Sequence, residues 1–267
     1  MRDTSSEIEL EIKDHIGIVT MSRPPHNFTD LDFMTSLADT LWNLSLDREV
    51  WIVVLAARGK SFSAGADFAQ GGVAPETPDV HPVESFRLGT RKFYDQAVRI
   101  LRAPLPIVGA INGAAVGAGL GLVLACDFKV ASKEAWFCAP FVKLGIHPGF
   151  GISSLLPKLI GAKNANDMLL SGRRVKSNEA LEFQLVDEVV EKEDVLSRAV
   201  EVAGSIIQSS PMALRSTRKT LRDTYIGAIE DVLVHELDRQ CELIGTKDAK
   251  EGVAASLEKR QANYTNS

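Results

Sequence analysis

Two apolar runs that each end in a turn of small residues constrain this chain more than any other feature. The first, WIVVLAA at 51–57, leads into SFSAGAD at 61–67, and the second, PIVGAI at 106–111, leads into NGAAVGAGLGLVLACD at 112–127. Each reads as a strand feeding a tight turn, and the second turn opens a helix-compatible run over 120–125. Small side chains at Gly117, Ala118 and Gly119 let a ligand approach the backbone. The free N–H groups and the positive dipole end of a starting helix attract a negatively charged oxygen. A single turn of this kind is weak information, because small residues at a helix start commonly serve close helix–sheet packing. Two such turns on separate strands say more, since two backbone N–H groups arriving from different directions are what holds one developing oxyanion.

The flanking segments repeat the same grammar. Ile8, Leu10 and Ile12 alternate with Glu7, Glu9 and Glu11, the period of a half-buried strand, and a turn over 14–17 returns the chain as a second strand over 18–21. Leu31, Met34, Leu37, Ala38 and Leu41 recur at helical spacing, with Thr29 or Asp30 as the cap. The segment 70–82, with its glycines and prolines, reads as a mobile loop over the site, and 85–102 as a helix. From 193 onward the pattern is almost wholly helical, over 195–207, 211–222, 226–244 and 249–259, with Pro211 suited to a first turn. The unit of strand, turn and helix thus dominates up to about residue 205, and helices alone follow.

Composition removes several function classes. A net charge of -5 gives no basic face for nucleic acid. Cys126, Cys138 and Cys241 are scattered and form no C-x-x-C pair, so they read as reduced packing thiols. His15, His26, His81, His147 and His235 lie far apart and form no H-x-x-x-H pair, so no metal is expected. Gly59-Lys60-Ser61 imitates the end of a phosphate-binding loop, but the required earlier glycine is Val54. A dinucleotide fingerprint starting at Gly117 and Gly119 fails at Leu122. The first residues carry no apolar leader and no run approaches the roughly 18 apolar residues of a membrane span, so a cytoplasmic protein without a membrane partner is expected. The N-x-T patterns at Asn27 and Asn263 are then chance matches.

SFSAGAD and INGAAVGAGLGLVLACD, taken as a pair, resemble the crotonase family, the enoyl-CoA hydratases and isomerases. The resemblance runs through Arg23-Pro24, Asn27, Leu144-Gly145-Ile146, Pro148-Gly149, Leu170-Ser171-Gly172-Arg173 and Ala180. It continues through Ser210-Pro211-Met212-Ala213-Leu214, Glu251-Gly252 and Leu257-Glu258-Lys259-Arg260, and so covers nearly the whole chain. It implies an α/β fold: a crotonase-type spiral of repeated ββα units over 1–204 that carries an acyl-CoA site, and a C-terminal helical region over 205–267 that covers the site. That region packs between subunits of a homotrimer, often a dimer of trimers, with Val232, Leu233, Leu237 and Leu243 expected in part at the seam. The substrate class implied is an acyl-CoA thioester, and no separate cofactor is needed because coenzyme A is part of the substrate.

Residue by residue, the resemblance puts the two oxyanion donors on the backbone N–H groups of Ala66 and Ala118. Substrate contacts fall on Ala64, Gly65, Asp67, Phe68, Gly117, Phe141 and Lys259, with Asp67 holding its turn and Asp127 structural. The departure is in the acid–base groups. The two glutamates of family hydratases fall on Gly121 and Phe141, and the acid used by some isomerases and a dehalogenase falls on Gly149. General acid–base groups contribute about 100- to 10,000-fold each, so ordinary hydration is expected to be weak, and glutamate at both positions is expected to raise it. His147, His81 and Glu84 are the ionisable replacements in reach, His147 first because histidine titrates nearest neutral pH. The reading is an enoyl-CoA hydratase/isomerase-like protein that stabilises a thioester enolate. A non-catalytic acyl-CoA-binding protein, or a thioester or C–C bond hydrolase on the same fold, stay open.

Overall fold

The computed structural model describes residues 7–70, 72 and 79–267, so most of the loop expected over 70–82 lies outside the described residues. The chain opens with a hairpin of β1 (Ile8–Lys13) and β2 (Ile16–Met21), in which Ile8 faces Met21. Next comes α1 (Leu31–Leu46), whose cap is Asp30: its carboxylate accepts the Phe33 N–H at 2.9 Å. Three further units of long strand, short strand and helix follow. They are β3 (Ile52–Ala57), β4 (Ser61–Ser63) and α2 (Pro82–Leu101), then β5 (Ile107–Ile111), β6 (Ala114–Val116) and α3 (Ala118–Ala125). The last is β7 (Phe128–Ser132), β8 (Trp136–Cys138) and α4 (Ile152–Ser171). The chain ends through β9 (Arg174–Lys176), α5 (Ser177–Glu182), β10 (Glu188–Val190), α6 (Val195–Ile206), α7 (Pro211–Ile226), α8 (Ile229–Leu243) and α9 (Lys247–Glu258).

The long strands, with the three-residue β10 at one edge, build one sheet in the order β1-β2-β3-β5-β7-β10, parallel from β2 onward, and the other short ones build a second in the order β4-β6-β8-β9. Each turn of the spiral therefore lays one strand on each sheet. β3 is apolar throughout because both of its faces are covered. Val53 and Leu55 join Phe33, Leu37 and Leu41 on one side, while Ile52 and Val54 join Val195, Ala199 and Ala203 of α6 on the other. Burial of such a run is what made it legible in the sequence.

The C-terminal helices fold back onto this core. Arg218 and Arg222 of α7 pair with Asp127, at 2.6 and 2.8 Å, where β7 begins. Leu233 and Leu237 of α8 are buried within their own chain rather than at a subunit seam, because α8 packs on α2 and α4. Val232 is partly buried on the same core, and Leu243 is exposed along with Met212, Leu221 and Leu257. Among the described residues, no helix is long and apolar enough to cross a membrane.

Candidate functional site

The two turns singled out by the sequence meet. The first is fastened from the segment after β2: Ala64 donates to the His26 carbonyl at 2.9 Å, and the Gly65 carbonyl accepts the Thr29 N–H at 2.9 Å. Asn27, buried and in the left-handed region, donates its amide to the Arg58 and Ser61 carbonyls, at 2.7 and 2.8 Å. Ser63 Oγ closes the loop by donating to the Asn27 carbonyl at 2.8 Å. The second turn is held by the Gly117 N–H, which donates to the Cys138 carbonyl at 3.0 Å, and α3 begins at Ala118.

Backbone packs on backbone between them. A Cβ on Gly65, whose φ is +79°, would stand 2.5 Å from the Val116 carbonyl oxygen and 3.3 Å from the Ala118 nitrogen. A Cβ on Gly119 would stand 2.2 Å from the Ser63 carbonyl oxygen. Only glycine admits this approach. The N–H groups of Ala66 and Ala118 have no hydrogen-bond partner among the described residues, and both residues line a cavity of about 1580 Å³. For Ala118 this is the ordinary state of a first helical residue; a cavity beside it makes the free donor useful.

Ala64, Gly65, Asp67, Phe68, Gly117 and Phe141 line the same cavity. Asp67 accepts the Ala69 N–H at 3.0 Å, a local cap that stiffens the turn. The tip of the Phe141 ring stands 3.9 Å from where a Gly117 Cβ would be, so the cavity has an aromatic wall at a position where the resemblance implies a hydratase glutamate. His81 also lines the cavity and caps α2, with Nδ1 accepting the Val83 N–H at 3.4 Å. His147, Glu84 and Lys259 are not among the described residues that line it. The His147 Nδ1 donates to the Pro148 carbonyl at 2.8 Å, and its ring meets the edge of His235 at 5.9 Å between centroids. Lys259 ends α9 in the left-handed conformation, while its neighbours Leu257 and Arg260 reach the cavity.

Two of the positions left without an acid are occupied by other side chains. A Cβ on Gly121 would come within 2.3 Å of the Phe150 ring, so the expectation that glutamate could simply be placed there is corrected: Phe150 fills the space. A Cβ on Gly149 would come within 2.0 Å of the Tyr94 hydroxyl. Tyr94 is buried and donates to Gln240 Oε1 at 2.9 Å, and burial first, then the nearby Glu236 charge, push its phenol well above its ordinary range. Glu236 is fully buried and accepts from the Gly151 N–H (2.7 Å), the Ser153 N–H (3.1 Å) and Ser153 Oγ (2.6 Å). Burial raises it to about 7, although those hydrogen bonds oppose the shift.

The sequence did not single out Tyr94 and Gln240, which are brought together from two helices. Nor did it single out Lys143 and Lys250, which line the cavity and carry no ion pair among the described residues. Arg174 lies over the Trp136 ring at 4.3 Å, also without a carboxylate partner. Burial disfavours the thiolate at Cys126, pushed up to about 12, and at Cys138, pushed up to about 11.

The sequence profile of the enoyl-CoA hydratase/isomerase family matches residues 11–267. The chain belongs to that family. The short-chain enoyl-CoA hydratase of Clostridium acetobutylicum is 30% identical over 261 residues, which cover 96% of each chain. The crotonyl-CoA hydratase of Syntrophomonas wolfei is 32% identical over 262 residues, covering 96% of this chain and 97% of that one. Among solved structures, the enoyl-CoA hydratase/isomerase of Pseudoalteromonas atlantica superposes with a TM-score of 0.84 at 28% identity, covering 97% of this chain and all of the other (100%). The enoyl-CoA hydratase of Mycobacterium avium subsp. paratuberculosis superposes with a TM-score of 0.82 at 26% identity, over 98% and 99% of the two chains. The spiral described above is thus the crotonase fold, with its C-terminal helices present. Within the enoyl-CoA hydratase/isomerase family, this member has Gly121, Phe141 and Gly149 where the acid–base groups are expected.

Proposed function

We propose that the protein binds an acyl-CoA thioester and stabilises its enolate between the backbone N–H groups of Ala66 and Ala118. The observation that carries this reading is the convergence of two N–H donors, from separate turns and without a partner among the described residues, on one large cavity. Two fixed donors cost no reorganisation as charge develops on the thioester oxygen, and loss of one typically costs about 100- to 1,000-fold in rate. The CoA moiety runs past Ala64, Gly65, Asp67 and Phe68, with Gly117 beneath the thioester. Lys143 and Lys250, without an ion pair among the described residues, are cations available to its phosphates, and Lys259, between the cavity-lining Leu257 and Arg260, is a further one. The aromatic wall of Phe141 keeps water from the reacting carbons, and no carboxylate stands at 121, 141 or 149 to activate one. His147 is not needed for this reading.

The test compares a thioester with its thioether. Calorimetry should find butyryl-CoA bound about tenfold more tightly than S-butyl-CoA, which has no carbonyl for the donors. Ala118→Pro removes one donor at a position where proline suits a first helical turn, and should erase most of that difference. Equal affinity for the two ligands in the natural protein would sink the assignment. A second reading, acyl-CoA binding without turnover, is favoured by the missing carboxylates, and mass-spectrometric turnover of a panel of CoA thioesters separates the two. We also propose a homotrimer or dimer of trimers, with the exposed Met212, Leu221 and Leu257 as candidates for its seams; a monomer in sedimentation at micromolar concentration would remove it.

A further inference from the structure

The far wall of the acyl cavity is polar, and its hydrogen bonds have a direction. Gln240 Nε2 donates to the His147 carbonyl at 2.9 Å, and a carbonyl only accepts, so the amide cannot be turned the other way. Its Oε1 therefore faces Tyr94 and takes the hydroxyl hydrogen at 2.9 Å. Tyr94 has no second hydrogen. What its oxygen still offers is a lone pair, since the Phe150 N–H is the other group directed at it. One helical turn earlier, Thr90 lines the same wall with its hydroxyl oxygen buried and without a partner among the described residues. A buried hydroxyl left in that state is costly, and a ligand that supplies its hydrogen bond is correspondingly favoured.

These features select the ligand. A carboxylate would stand beside the buried Glu236 carboxyl and would find no cation among Thr90, Tyr94, Gly149, Phe150 and Gln240. A ketone brings only an acceptor to a phenol whose hydrogen is already committed. A hydroxyl brings the hydrogen that Tyr94 can accept and an oxygen that Thr90 can donate to. Its distance from the thioester follows from the fold: Gly121 lies one turn, about 5 Å, beyond Ala118. The Phe150 ring fills the space beside Gly121, and the Tyr94 hydroxyl lies against Gly149, the residue before Phe150.

We infer that the acyl group this protein takes carries a hydroxyl several carbons from the thioester, held by Tyr94 with Thr90. The inference rests on the acyl-CoA reading above and adds the substrate class. Calorimetry on the full-length protein compares hexanoyl-CoA with its 5-hydroxy and 6-hydroxy derivatives. At least one hydroxy form should bind about five- to tenfold more tightly than hexanoyl-CoA, the effect of one well-made buried hydrogen bond. In Tyr94→Phe that ratio should fall to about one, and Thr90→Val should reduce it. If hexanoyl-CoA binds but neither hydroxyl is preferred, the inference is wrong while the acyl-CoA reading stands. If no thioester binds, both are wrong. The wild-type ratio decides the question even where a variant fails to fold.

Discussion

The back and the front of this molecule each bury a carboxylate that ties a C-terminal helix to the core, and the two are neutralised in opposite ways. Behind the site, Asp127 receives Arg218, Arg222 and the Ile107 N–H. Burial alone would raise its carboxyl, but Arg222 and Arg218 outweigh that and hold it below the ordinary carboxylate range. In front, Glu236 meets no cation among the described residues; it caps the start of α4 through two backbone N–H groups and the Ser153 hydroxyl, and burial wins. Full charges compensate desolvation where partial charges do not. The ion-paired anchor suits a purely structural joint, whereas the one without a cation leaves a titratable group beside the Tyr94 wall of the cavity.

Removing each carboxylate should expose that difference. Asp127→Ala leaves two largely buried guanidinium groups without their counter-ion and should cost about 3–5 kcal/mol in chemical denaturation. A loss below about 1 kcal/mol would mean that water reaches the arginines and that the joint is not what holds α7. Glu236 should show instead in pH. Its folded value, about 7, lies above its ordinary 4.5, so the stability it contributes is fully present below about pH 4.5 and is lost as pH rises through about 7. At about 1.4 kcal/mol per pH unit, the natural protein should lose about 3 kcal/mol between pH 4.5 and 8 that Glu236→Gln does not lose. Parallel melting curves for the two proteins would place the Glu236 titration elsewhere. Asp127 acts in the opposite window, with stability present above its ordinary 3.8 and lost only as pH falls below it.

A smaller effect is expected at Ser153→Ala, which removes one of three donors to Glu236: about 1.5 kcal/mol, measured best at pH 8 where the carboxylate is charged. The smallest belongs to His147→Ala. Its ring lies off the cavity and donates to its own neighbour, so butyryl-CoA affinity should change by less than about twofold. A larger loss of affinity or turnover would restore His147 as a working group.

The sequence was most legible where one segment carries its own signal. The apolar run at 51–57 announced β3 because both faces are buried, and the pair Thr29 and Asp30 announced the start of α1 because a cap acts over three residues, although which of them caps it, Asp30, needed the structure. The paired small-residue turns were legible for the same reason: the glycines that let Gly65 and Gly119 touch the opposite backbone leave a mark in each segment separately. β4, β6, β8 and β9 were not legible, since three residues carry no period. Tyr94 and Gln240 lie 146 positions apart, and nothing in either segment tells of the other. The stripe on α8 marked Leu233 and Leu237 as buried, but the expectation of a subunit seam named the wrong cover, since their own chain buries them. Gly121 was read as a missing acid; that Phe150 had taken the space needed the fold to bring the two together.

The most direct test of the central claim, a backbone oxyanion site working without the family's carboxylates, is the rate of crotonyl-CoA hydration. It should be measured side by side with a family hydratase that carries both glutamates, at saturating substrate and the same pH. Hydration by this protein should be slower by at least about 100-fold, because each missing acid–base group is worth about 100- to 10,000-fold and the oxyanion donors alone leave water unactivated. A rate within about tenfold of that hydratase would contradict it, since a group other than those at 121, 141 and 149 would then be activating the water.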